Sequence, residues 1–116
     1  MNHGLMISLA FIALSGCATV QIPADRLESS ESSMRSAEEL GASSVPNARL
    51  HLELAKDQTL LAKKMAAEGD SRALLVLARA EADAELALGL AREVSVHGEA
   101  VRAAEDLKAV RARGTP

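Results

Sequence analysis

The sequence predicts an all-α protein, an antiparallel helical hairpin extended to a small three-helix bundle, behind an amino-terminal signal segment. Three observations carry this. Beyond the first two dozen residues the chain is rich in Ala, Leu, Glu, Arg and Lys, the residues of highest helix propensity. Apolar residues recur at alternating spacings of three and four, the period of one helix face. The periodic runs are separated by Gly41, Pro46 and Gly69-Asp70, residue types that end or open helices.

At the amino end, the apolar run Leu5–Leu14 has the length of a secretory h-region. It is about half of the ~20 residues that a spanning helix needs. The n-region Met1-Asn2-His3-Gly4 has no Lys or Arg, so only the amino terminus and His3 carry positive charge. The run ends on Leu14-Ser15-Gly16-Cys17, where Ser15 and Gly16 supply small side chains and Cys17 is the sole cysteine. These four residues resemble the lipobox of bacterial lipoproteins. The resemblance implies a cleaved lipoprotein signal peptide over residues 1–16, cut between Gly16 and Cys17, with the Cys17 thiol lipidated and residues 17–24 forming a tether. Several acyl chains at ~0.8 kcal/mol per buried methylene make such an anchor permanent. By resemblance to Gram-negative lipoproteins, Ala18 in the place where Asp favours the inner membrane implies the outer membrane, on its periplasmic face. With its one thiol acylated, the chain has no internal disulfide to form.

Composition excludes further partners. Phe11 is the one residue among Phe, Tyr and Trp and lies in the signal segment, so the mature chain lacks the usual platform for stacking a sugar or a base. Net charge is −3 with basic and acidic residues interspersed, which leaves no stripe to gather phosphates. Neither nucleic acid nor a small-molecule substrate is an expected partner; the membrane, through the lipid, is.

Pro23 closes the tether. Asp25–Leu40 predicts a first helix with Leu27, Met34, Ala37 and Leu40 on one side and Gly41 placed to end it, although Ser29, Ser30, Ser32 and Ser33 are mediocre helix formers. Gly41–Val45 is a turn, after which Pro46 opens a second helix running to about Glu68. Gly69 tolerates positive φ, and the Asp70 carboxylate can accept from the exposed N–H groups ahead of it. A third helix is expected from Ser71 to at least Val94. Val96 and Gly98 lower helix propensity and leave its continuation through Ser95–Gly98 open, while Ala100, Ala103, Leu107 and Val110 resume the helical spacing. The helical domain is thus expected over residues 25–112, and a disordered tail over 113–116.

The spacing also predicts the packing. In the second helix Ala48, Leu52, Ala55, Thr59, Ala62 and Ala66 form one stripe of mostly small residues, and in the third Leu77, Ala80, Ala84, Ala87 and Ala91 form another. An antiparallel hairpin presses these together. A second, bulkier face remains on each helix: Leu50, Leu54, Leu61 and Met65 on one, Leu75, Ala82, Leu86 and Leu90 on the other. The first helix is expected to cover part of these faces, and Leu50, Leu54, Leu61 and Met65 are the candidate partner-binding residues. Burying an alanine methyl contributes about 0.8 kcal/mol against ~1.5–3 for a leucine, so an alanine seam makes a hairpin of marginal stability.

Catalytic chemistry has no constellation to stand on. His51 and His97 are the histidines beyond the signal segment, and metal or triad chemistry needs several such groups converging. No catalytic residue, metal site or cofactor is therefore expected. Asp83 and Glu85 alternate with small apolar residues and are expected to face water. Glu81 and Glu85 form a like-charged pair one turn apart, which Lys63 or Lys64 of the neighbouring helix could relieve.

The landmarks Ala37-Glu38-Glu39-Leu40-Gly41-Ala42, Val45-Pro46, Leu54-Ala55, Gly69-Asp70, Arg72-Ala73 and Ala78-Arg79-Ala80-Glu81-Ala82-Asp83-Ala84-Glu85-Leu86-Ala87 follow one another along the chain. In this order they resemble the bacterial envelope family known as domain of unknown function 4398. That family consists of alanine-rich helical lipoproteins, some of which precede a peptidoglycan-binding module of the outer-membrane-protein-A type; nothing like that module follows here. The resemblance carries no catalytic residue. Two function classes follow: a non-enzymatic, outer-membrane-anchored periplasmic lipoprotein whose helices bind another envelope protein, or a self-associating structural spacer of the envelope. The second is similar to the major outer-membrane lipoprotein. That protein's C-terminal lysine has no counterpart in Arg113-Gly114-Thr115-Pro116, and its heptads are interrupted here at Gly41, Pro46, Gly69 and Gly98. The shortened helices favour the first class.

Overall fold

Two glycines in the left-handed region divide the chain into helices. The computed structural model describes residues 19–114 and contains α1 (Ala24–Glu39), a single 3₁₀ turn (Ala42–Ser44), α2 (Pro46–Ala67) and α3 (Ala73–Gly114), with no strand among the described residues. Gly41, at φ 81°, ends α1, and its N–H donates to the Glu38 carbonyl at 2.9 Å. Gly69, at φ 78°, ends α2: its N–H reaches the Ala66 carbonyl at 3.1 Å and that of Asp70 the Met65 carbonyl at 2.9 Å. These are the paired bonds of a Schellman motif, which only a residue tolerant of positive φ completes without strain. Pro46 opens α2 at a position where its missing N–H costs nothing.

The start of α3 differs from the sequence reading by two residues. Asp70 Oδ1 accepts from the Arg72 N–H at 2.9 Å, and the Ala73 N–H bonds the Asp70 carbonyl at 3.0 Å. Ser71 and Arg72 are thereby held in a turn, and the helix begins at Ala73.

The two predicted small-residue stripes form the seam. Ala48, Leu52, Ala55, Thr59, Ala62 and Ala66 of α2 are buried, as are Leu77, Ala80, Ala84, Ala87 and Ala91 of α3, together with Ala73 and Leu88. Thr59 is tolerated in the seam because its hydroxyl donates to the Ala55 carbonyl at 2.7 Å, leaving no orphaned donor. Helix α1 runs antiparallel to α2, with Glu31 opposite Lys63 and Glu38 opposite Lys56, and adds Met34 and Ala37 to a core shared with Ala48, Leu52, Ala55, Ala84, Ala87 and Leu88. Its buried face is Ser30, Met34 and Ala37 rather than the predicted Leu27, Met34, Ala37 and Leu40. Leu27 is half-buried, and Leu40, the residue before Gly41, turns outward. Small Ser30 serves a close helix approach better than a leucine does.

Helix α3 does not stop near Val94. It passes through Ser95–Gly98 and continues to Gly114, so residues 113 and 114, predicted as disordered tail, are helical. Packing on α2 nucleates the helix, and propagation past Val96 and Gly98 then costs only the small propensity differences of those residues. Of the four interruptions read from the sequence, Gly98 is therefore not one. Beyond Ala91 no residue of α3 is buried, and residues 92–114 extend past the bundle as a single helix of about 34 Å.

Candidate functional site

Helix α1 occupies one side of the hairpin. Arg26 Nε donates to Glu81 Oε1 at 2.8 Å, with a second contact through Nη2, while Lys63 reaches Glu31 at 2.9 Å and Lys56 pairs with Glu38. Asp83 and Gln58 each lie two residues beyond members of these pairs, about 200° further round their helices, and so face away from α1. On that far side Leu50, Leu54 and Leu61 are 53, 38 and 48 % exposed, and Leu75 and Leu86 are 58 and 44 % exposed. Met65 and Leu90 are half-buried. The candidate partner-binding residues thus share one face of α2, and α1 leaves it uncovered because it packs from the side of Glu81, Lys56 and Lys63.

The polar groups between the helices depart from the sequence reading in two places. Glu81 is relieved by Arg26 of α1, not by Lys63 or Lys64; Lys63 is turned toward Glu31. Asp83, predicted to face water, is instead partly enclosed, with Oδ1 at 2.7 Å from His51 Nδ1 and Oδ2 accepting from Gln58 Nε2 at 2.8 Å. His51 and Gln58 are a heptad apart on one face of α2, a spacing visible in the sequence, but which acidic residue they meet depends on the register of α3. The cluster ties the two helices together; no nucleophile accompanies it.

Between α1 and α3 lies a polar cavity of about 290 Å³ lined by Asp25, Arg26, Ser29, Ser30, Ser33, Glu81 and Glu85. The Ser30 Oγ is buried there with no hydrogen-bond partner. No carboxylate of the lining hydrogen-bonds the Ser30 hydroxyl, so nothing activates it as a nucleophile, and the cavity has the polarity to hold water. Among the described residues no group of three or more His, Cys, Asp or Glu side chains could hold a metal ion, and no helix is long and apolar enough to cross a membrane. Gly16 and Cys17 lie outside the described residues.

At the hairpin turn the Arg72 guanidinium, and then the Arg72 N–H, hold the Asp70 carboxyl below its ordinary range, while the same contact raises Arg72. A depressed carboxylate contributes stability that is present above the unfolded value, near 3.8, and is lost as pH falls through the lower folded value. Asp70→Asn is therefore expected to lower the thermal midpoint at pH 7 and to leave it unchanged in strong acid. An equal loss at both pH values would show that the charge is not what holds the turn.

In comparisons with known proteins, no protein-family model matches the chain, and no curated protein or solved structure matches it.

Proposed function

We propose that this chain is a non-enzymatic lipoprotein, anchored through Cys17 in the outer membrane on its periplasmic face, whose helical bundle is a protein-interaction module. The observation that carries the reading is the uncovered leucine face, Leu50, Leu54 and Leu61 with Leu75 and Leu86, on the side of the hairpin opposite α1. A fully buried leucine contributes ~1.5–3 kcal/mol, so covering such a face stabilises a complex where a lone bundle leaves the area in water. The lipobox supports the anchor. The Val20 N–H donates to the Ala66 carbonyl at 3.1 Å, which holds the chain shortly after Cys17 at the end of α2 and is consistent with an anchor on that side of the bundle.

Cys17→Ser is expected to leave an unprocessed, unlipidated chain that is lost from the outer-membrane fraction; unchanged mobility and fractionation would overturn the anchor. Leu54→Gln with Leu61→Gln is expected to abolish crosslinking to another envelope protein in cells while leaving the helical circular dichroism intact. A second reading, the self-associating spacer, is favoured by the unbroken run of α3 through Gly98. It predicts adducts at multiples of the chain's own mass.

A further inference from the structure

The polar cavity between α1 and α3 has a lining that its own residues do not neutralise. Of its carboxylates, Glu81 is paired with Arg26, while the side chains of Asp25 and Glu85 have no hydrogen bond or ion pair among the described residues. Three carboxylates against one guanidinium leave the lining with two negative charges. Glu85 also stands one turn from Glu81 on α3, a like-charged spacing that a helix disfavours. Ser30 is an independent observation. It is 2 % exposed, it lines the cavity, and its Oγ has no hydrogen-bond partner. Thr59, the other buried hydroxyl among the described residues, donates to the Ala55 carbonyl one turn behind it; the Ser30 hydroxyl does not use the Arg26 carbonyl in this way. A buried hydroxyl left unpaired costs free energy, and a ligand that brings hydrogen-bond donors into the cavity recovers it.

We propose that this cavity binds a small aliphatic diammonium cation, a short polyamine. The two unpaired carboxylates belong to different helices, so each can take one of two linked ammonium groups, and the remaining ammonium N–H donors find the hydroxyls of Ser29, Ser30 and Ser33. The volume of about 290 Å³ is far above the ~30 Å³ share of one water molecule and admits a chain of several heavy atoms. A divalent metal ion is the poorer occupant, because no group of three or more His, Cys, Asp or Glu converges among the described residues. An anion would meet uncompensated negative charge. Asp25, Ser29 and Glu85 are exposed and stand at the mouth, so water screens the attraction and binding is readily reversible. Bound there, the diamine bridges α1 to α3 and holds the first helix on the hairpin. The inference goes beyond the interaction-module reading and depends neither on the anchor nor on the Leu50, Leu54 and Leu61 face.

The test is equilibrium dialysis of labelled putrescine against the full-length protein in a neutral detergent at constant ionic strength. A single saturable site is expected, with the thermal midpoint rising as putrescine is added, because a ligand of the folded state alone stabilises it. Asp25→Asn and Glu85→Gln are each expected to weaken binding about tenfold, the loss of one charge-assisted hydrogen bond. Without putrescine, Glu85→Gln should keep or raise the midpoint, since it removes the repulsion from Glu81. Ser30→Ala should weaken binding several-fold and leave the midpoint of the unliganded protein no lower; a merely structural hydroxyl would lower the midpoint and spare the binding. Glu28→Gln, at an exposed residue of α1 outside the cavity, should bind like the unsubstituted chain. The uncharged diol of the same carbon chain should not displace putrescine. Absence of saturable binding overturns the proposal, as does displacement by the diol. Unchanged binding in the Asp25, Ser30 and Glu85 variants places the diamine elsewhere and overturns it too. Equal weakening by Glu28→Gln, or displacement by an equal concentration of Mg²⁺, means diffuse attraction to an acidic surface and no site.

Discussion

Leu77→Ala is expected to cost about 2–5 kcal/mol of folding stability. Leu77 is completely buried and is the largest side chain so enclosed, in a seam otherwise built mainly of alanines. Its neighbours along the stripe, Ala73, Ala80 and Ala84, have no flexible side chain that could swing into the space left behind, so the cavity term is retained. For a domain of this size each kcal/mol shifts the thermal midpoint by about 4–8 °C, so a loss of about 8 °C or more is expected by circular dichroism. Leu86→Ala, at a residue 44 % exposed on the same helix, is the comparison and should cost far less. Equal shifts for the two would mean that the seam does not hold the hairpin.

Ala84→Leu tests the same seam in the opposite sense. Ala84 is fully buried within the core that α1 shares with Ala48, Leu52 and Ala55, where the small side chain lets helices approach closely. Three added carbons there force displaced backbones or strained rotamers, at about 1–3 kcal/mol. The same change at Ala82, two residues along α3 but exposed, should be nearly silent. If Ala84→Leu is also silent, the helices are further apart than the burial of the alanines implies.

Two uncovered apolar surfaces lie at different places along the molecule. Val20 is bonded to Ala66 at the end of α2, the leucine face flanks the hairpin, and the exposed end of α3 begins where α2 has no more residues to offer it. The proposed partner face and the exposed stripe of α3 are therefore different surfaces, and substitutions at Leu54 and Leu61 test the first alone.

The residues themselves determined the helical class, the buried stripes of α2 and α3 and the two glycine turns. Each of these is local: a 3.6-residue period, a positive φ or a missing N–H acts within one or two turns of chain, whatever the rest of the fold does. The resemblance of Leu14-Ser15-Gly16-Cys17 to a lipobox is equally local and is read without any tertiary contact. What only the tertiary structure decided concerns which helix meets which. That Arg26 rather than Lys63 neutralises Glu81, that His51 and Gln58 enclose Asp83, and that Ser30 rather than Leu27 turns inward all depend on interhelical register, which exposed charges and small side chains do not encode by themselves. The unbroken run of α3 belongs with them. Val96 and Gly98 weaken a helix that must nucleate by itself, but they cannot stop one that packing on α2 has already nucleated.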